Sequence, residues 1–158
     1  MNITDKIKVT IGAQVVELDV AADTSITDLS QDMLEISGKI AWYGRVYAAA
    51  KYAADGADDA YRQWRANDIQ NQLARDPKKA EWKCKASYEA CPNGMMAIVS
   101  RKAAHRLVSE IDAALTALKV KADMLRSQGA MARSELSNIG MTTKDNKISA
   151  VKAALTGE

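Results

Sequence analysis

The sequence predicts a mostly α-helical fold: a long, coiled-coil-like helical hairpin with a short N-terminal β-hairpin, completed by oligomerisation. Three observations carry that prediction. The 158 residues are 47% hydrophobic, yet they include no Phe and only two Pro. An apolar content drawn from Ala, Leu, Ile, Val and Met suits long helices with thin contacts better than a thick sandwich core. Apolar residues then recur with heptad spacing through two long stretches, while strict alternation is confined to the first twenty residues. The length is that of one domain.

Residues 1–22 form the first unit. Ile7, Val9 and Ile11, then Val16, Leu18 and Val20, alternate around Gly12-Ala13-Gln14, the pattern of two strands joined by a glycine-containing turn. An isolated hairpin is marginal in water, so it must lean on the helices or on a neighbouring subunit. The helical body, residues 23–140, opens with the N-cap candidates Asp23, Thr24 and Ser25, and Ser25 with Asp28 makes a weak capping box. Leu29, Met33, Ile36, Ile40, Tyr43, Tyr47, Ala50, Ala54, Ala57, Tyr61 and Trp64 follow at alternating spacings of four and three. A loop resets such a phase, so the unbroken stripe predicts one helix over about 26–75 that crosses Gly56 at a cost of about 1 kcal/mol relative to Ala. A break at Gly56 is the alternative.

Asp76-Pro77 reads as a stop and restart, with Asp as cap and Pro in the first helical position of a helix over about 77–90. Cys91-Pro92-Asn93-Gly94 breaks that helix. A third, over about 94–136, carries Ala104, Leu107, Ile111, Ala114, Leu118, Ala122 and Leu125 on one face. Residues 141–158 read as a polar linker followed by a short amphipathic tail around Ile148, Val151 and Leu155. Narrow stripes on long helices need a partner surface. The expected intersubunit seam uses Leu29, Met33, Ile36, Ile40, Tyr43, Tyr47, Leu107, Ile111 and Leu118, with an ordinary monomeric bundle as the competing arrangement.

No catalytic constellation is visible. His105 is the only histidine, and its neighbours Arg101, Lys102 and Arg106 suggest a solvated or phosphate-facing helix surface. No Walker or dinucleotide glycine motif is present. One His and two Cys do not complete a zinc site, so neither an enzymatic role nor a cofactor is expected. Cys84 and Cys91, two helical turns apart, stand beyond disulfide reach. With no span apolar enough for a membrane and no secretory leader pattern at Met1–Lys6, a cytoplasmic location is expected.

Charge is unevenly placed. Residues 1–35 carry two lysines against seven carboxylates, whereas residues 62–85 carry seven cations against three. An acidic head beside a basic body suggests an anionic partner, or charge complementarity between subunits. The basic stretch is interleaved with Tyr61, Trp64, Trp82 and Tyr88. Cations neutralise phosphates and release counterions, and aromatic faces accept unpaired bases, a combination suited to single strands more than duplex. Tyr61 and Trp64 also fit the heptad seam.

The pieces Tyr61-Arg62-Gln63-Trp64-Arg65, Glu81-Trp82-Lys83-Cys84-Lys85 and Lys121-Ala122-Asp123-Met124-Leu125-Arg126-Ser127-Gln128-Gly129-Ala130, followed by Arg133-Ser134-Glu135-Leu136, resemble the UvsY-type phage recombination mediators. These are also described as recombination, repair and single-stranded DNA-binding proteins. The resemblance covers roughly residues 27–136. It implies a ring-like homo-oligomer in the host cytoplasm that binds single-stranded DNA and helps load a RecA-type recombinase while a single-strand-binding protein is displaced. The family's basic DNA-binding positions correspond to Arg62, Arg65, Lys83 and Lys85. The N-terminal hairpin and the Pro92 break depart from the family's pattern, and both bear on oligomer geometry. The resulting expectation places phosphate contacts on Arg62, Arg65, Lys78, Lys79, Lys83, Lys85, Arg101 and Lys102, with stacking by Trp82. A helical phage structural or adaptor protein, assembling without DNA, is the competing class.

Overall fold

The computed structural model describes the backbone of residues 6–11 and 13–156, with side chains through residue 137. The chain runs β1 (Lys6–Ile11), β2 (Gln14–Asp19), α1 (Val20–Thr24), α2 (Leu29–Arg75), α3 (Glu81–Ala90) and α4 (Pro92–Thr156). It is mostly helical, with one short antiparallel hairpin, in agreement with the predicted class.

β1 and β2 pair with Ile7 opposite Leu18 and Val9 opposite Val16. That register gathers the alternating apolar residues on one face, where Ile7, Val9 and Leu18 are buried. They join a core with Ile36, Tyr43 and Val46 of α2 and Ile111, Leu118 and Leu125 of α4. The hairpin therefore leans on its own chain's helices.

The chain then makes one helical turn, α1, capped by the Asp19 carboxylate accepting from Ala22 N. The N-cap of α2 is Asp28, which accepts from the amides of Ser30 and Gln31, rather than the expected Asp23–Ser25 group. Ser25 and Thr24 instead turn their hydroxyls back onto α1 carbonyls, a local competition that Ser and Thr commonly win.

α2 is continuous for 47 residues and passes through Gly56, as the unbroken heptad phase predicts. It ends at Asp76. Here the expected helix start at Pro77 is corrected, because residues 76–79 form a turn and α3 begins at Glu81. Lys79 N donates to Asp76 O at 3.0 Å, and Lys78 N donates to Asp76 Oδ1 at 3.2 Å. Asp followed by Pro is also favourable turn chemistry, and it prevails here. The predicted break at Cys91 holds, with Pro92 in the first helical position of α4. α4 continues to Thr156, so its helical backbone runs through residues 141–147, where the sequence suggested a linker. That stretch contains neither Pro nor Gly, and once a helix is nucleated, polar residues propagate it at small cost.

Asp58 of α2 meets Arg101 and His105 of α4, while Asp32 meets Lys121. The numbering rises on one helix as it falls on the other, so α2 and α4 are antiparallel. α3 is the first part of the same return arm, with Tyr88 against Tyr61 and Trp64, and the Cys84 carbonyl against Gln72.

This pairing corrects part of the expected intersubunit seam. Ile36, Tyr43, Ile111 and Leu118 are buried within one chain, and Leu29, Ile40, Tyr47 and Leu107 pack half-buried against them. The two stripes face each other across the helical hairpin, and the β-hairpin covers one groove. Met33 alone of that set is exposed, at 41%.

Candidate nucleic-acid interface

The basic stretch folds into a corner made by the end of α2, the Asp76–Lys79 turn and α3. Burial of Cys84 and Tyr88 sets the rotation of α3 on α2. At about 100° per residue, Trp82 then rides the crest opposite the buried face. Lys83 and Ser87 lie on one flank, and Glu81 and Lys85 on the other.

An open cleft of about 680 Å³ runs along the first flank, with Arg75, Lys78, Lys79 and Lys83 against Asp68 and Asp76. Gln72 organises its floor: its Oε1 accepts from Lys79 Nζ at 2.6 Å, and its Nε2 donates to the Asp68 carboxylate and the Cys84 carbonyl. A smaller cleft of about 260 Å³ on the other flank is lined by Arg62, Arg65 and Glu81. Between the two, the Trp82 side chain is 69% exposed, and Lys83 Nζ lies 5.5 Å from its ring centroid.

Beneath the corner, the Tyr88 ring packs against Trp64 at 3.9 Å and edge-on to Tyr61 at 5.8 Å between centroids. Tyr61 and Trp64 thus belong to the interior of the α2–α3 contact. Burial pushes the Tyr88 phenol up to about 12, and neither its hydroxyl nor Arg65 Nε has a hydrogen-bond partner among the described residues. Cys84 and Cys91 are free thiols, the first fully buried.

The structure assembles most of the predicted phosphate-binding residues, leaves Lys85 outside both clefts and separates two others. Arg62, Arg65, Lys78, Lys79, Lys83 and Trp82 converge on the two clefts and the crest. Arg62 also lies near Asp59 at 3.6 Å, and Lys85 near Glu89 at 3.8 Å, both as exposed pairs along a helix of the kind that contributes little. Arg101 is engaged elsewhere, bound to the Asp58 carboxylate and over the Tyr61 ring at 5.2 Å. His105 Nε2 approaches the same carboxylate oxygen at 3.0 Å. The His105 and Arg101 contacts hold the Asp58 carboxyl below its usual range. Arg101 is therefore corrected from a phosphate ligand to an interhelical contact, because the Asp58 carboxylate already supplies its counter-charge. Lys102 is exposed on α4 beyond that break, away from the clefts. Arg75 and Gln72 are cleft residues that the sequence alone does not single out. Arg75 lay within the basic stretch, whereas Gln72 carried no local signal at all.

No family model matches the chain, and neither a curated protein nor a solved structure does. Among the described residues, no group of three or more His, Cys, Asp or Glu side chains is arranged to hold a metal ion. No helix among them is long and apolar enough to cross a membrane.

Proposed function

We propose that this chain binds single-stranded DNA at the α2–α3 corner and acts, as a homo-oligomer, in loading a RecA-type recombinase while a single-strand-binding protein is displaced. The observation that carries the DNA reading is the exposed Trp82 crest between two cation-lined clefts. Phosphates gain from the cations through counterion release, and an unpaired base gains from an aromatic face. The recombinase step rests on the resemblance of residues 27–136 to recombination mediators. Its mechanism is mass action: holding the strand in an accessible state raises the chance that a filament nucleates, with no bond made or broken.

Fluorescence anisotropy on a labelled single-stranded oligonucleotide tests this reading. Affinity at low salt should fall steeply as salt rises. Replacing Lys78 and Lys79 together with Ala should flatten the log–log slope by about 1.4, at about 0.7 per phosphate contact on a single strand. Absence of any low-salt affinity would sink the proposal.

A helical structural or adaptor role is the second reading. It is favoured by the exposed apolar side chains of Leu34, Tyr52, Met124 and Met131 along α2 and α4, which offer a surface for another protein. The same titration separates the two readings.

A further inference from the structure

We infer that a bound single strand crosses α3 at Trp82, with one unpaired base stacked on the indole and the phosphates on either side divided between the two clefts. This deepens the DNA-binding reading and rests on it.

Trp82 is turned away from this chain's core, because Cys84 and Tyr88 take the buried face of the same helix. Lys83 lies over one face of the indole, which leaves the opposite face for a planar ligand. An apolar protein partner seated on this indole would have to desolvate the cations on both flanks, a heavy cost without counter-charges. A polyanion carrying planar bases supplies the counter-charges and the ring together.

The two flanks are unequal. The larger cleft presents Arg75, Lys78, Lys79 and Lys83 against two carboxylates, whereas the smaller sets Arg62 and Arg65 beside Glu81. The strand is therefore anchored on the Lys79 side, where Gln72 already holds the ammonium in place, and is held more loosely on the Arg65 side. An α-helix is about 10–12 Å across with its side chains. At about 3.4 Å per nucleotide of stacked strand, the crossing spans about three or four nucleotides. A duplex cannot make this crossing, because its bases are not available to the indole.

The test uses the full chain, an oligothymidylate and the same oligonucleotide with its central bases replaced by abasic sites. Trp82→Ala should weaken oligothymidylate binding roughly tenfold, the scale of one lost base stack, with an unchanged salt slope. Trp82→Phe should recover most of that loss. The abasic strand should bind the unaltered chain about as weakly as oligothymidylate binds Trp82→Ala, and Trp82→Ala should show no further abasic penalty. If Trp82→Ala binds oligothymidylate like the unaltered chain, or retains the full abasic penalty, stacking at this crest is wrong while DNA binding stands. If no form of the chain binds either strand at low salt, the underlying DNA-binding reading has failed as well.

Discussion

Lys121 is the charged side chain that does most to tie the molecule together. It is 3% exposed, and its ammonium donates to Asp32 Oδ1 at 2.6 Å and to the carbonyls of Asp23 and Ser25. All three of its protons are thereby used. The other Asp32 oxygen accepts from the amides of Thr27 and Asp28, so the pair is buried but satisfied, and it fastens α4 to the entry of α2. The Lys121 hydrogen bond, followed by the Thr27 amide, holds the Asp32 carboxyl below its ordinary value. A carboxyl depressed in the folded state adds stability that is present above the unfolded value, near 4, and lost as pH falls through the folded one. Urea unfolding should therefore show the midpoint dropping below about pH 4. Lys121→Met should lower stability at neutral pH by roughly 3 kcal/mol, the low end for an orphaned buried charge that keeps other hydrogen bonds. It should also flatten the acid limb. An acid limb as steep in the variant as in the original would rule this account out.

Continuity and interruption decide the elements, and two glycines expose the difference. A Cβ built at Gly56 meets nothing within 4 Å, so that glycine only weakens α2. Gly56→Ala should raise stability by about 1 kcal/mol. At Gly94 a Cβ would lie 2.1 Å from the Tyr88 carbonyl oxygen, because the start of α4 folds tightly onto the end of α3. That close approach joins α3 and α4 into one return arm, and Cys91 Sγ accepts the Gly94 amide at 3.3 Å within it. Gly94→Ala should thus destabilise, since backbone rather than a movable side chain must give way. Thermal melts of the two variants should shift in opposite directions, and shifts of the same sign would contradict the assignment. Heptad phase made the length of α2 readable, and Pro92 did the same for the break. The Asp76–Lys79 turn was not readable, because Asp-Pro serves helix starts and turns equally well.

Across the whole molecule, the β-hairpin completes the core. Leu18 is 2% exposed within a cluster shared with α2 and α4. Leu18→Ala should cost about 2–5 kcal/mol and lower the melting temperature of the helical signal itself. A helical melt indifferent to this change would mean that the hairpin is an appendage. The acidic head is also partly paired within the chain. Glu17 meets Lys6 and Lys8, Asp23 and Glu35 share Lys39, and Asp32 takes Lys121. The head's net charge of −5 falls only to −3 once Lys39 and Lys121 are counted, so acidic charge is left for complementarity between subunits, and the basic corner keeps Arg75, Lys78 and Lys83 facing its open cleft.

The sequence by itself determined the helical class, the β-hairpin with its inward face, the unbroken passage through Gly56 and the basic–aromatic composition of the corner. Each of these is a local property of periodicity, capping or turn chemistry. Only the tertiary structure decided which cations line the clefts that flank Trp82, that Arg101 is committed to Asp58, and that the two apolar stripes satisfy each other within one chain. Those outcomes depend on the rotation of α3 and on pairs such as Asp32 and Lys121, 89 residues apart. Spacing along a helix records which face a residue occupies, but it carries no information about the distant surface that face will meet.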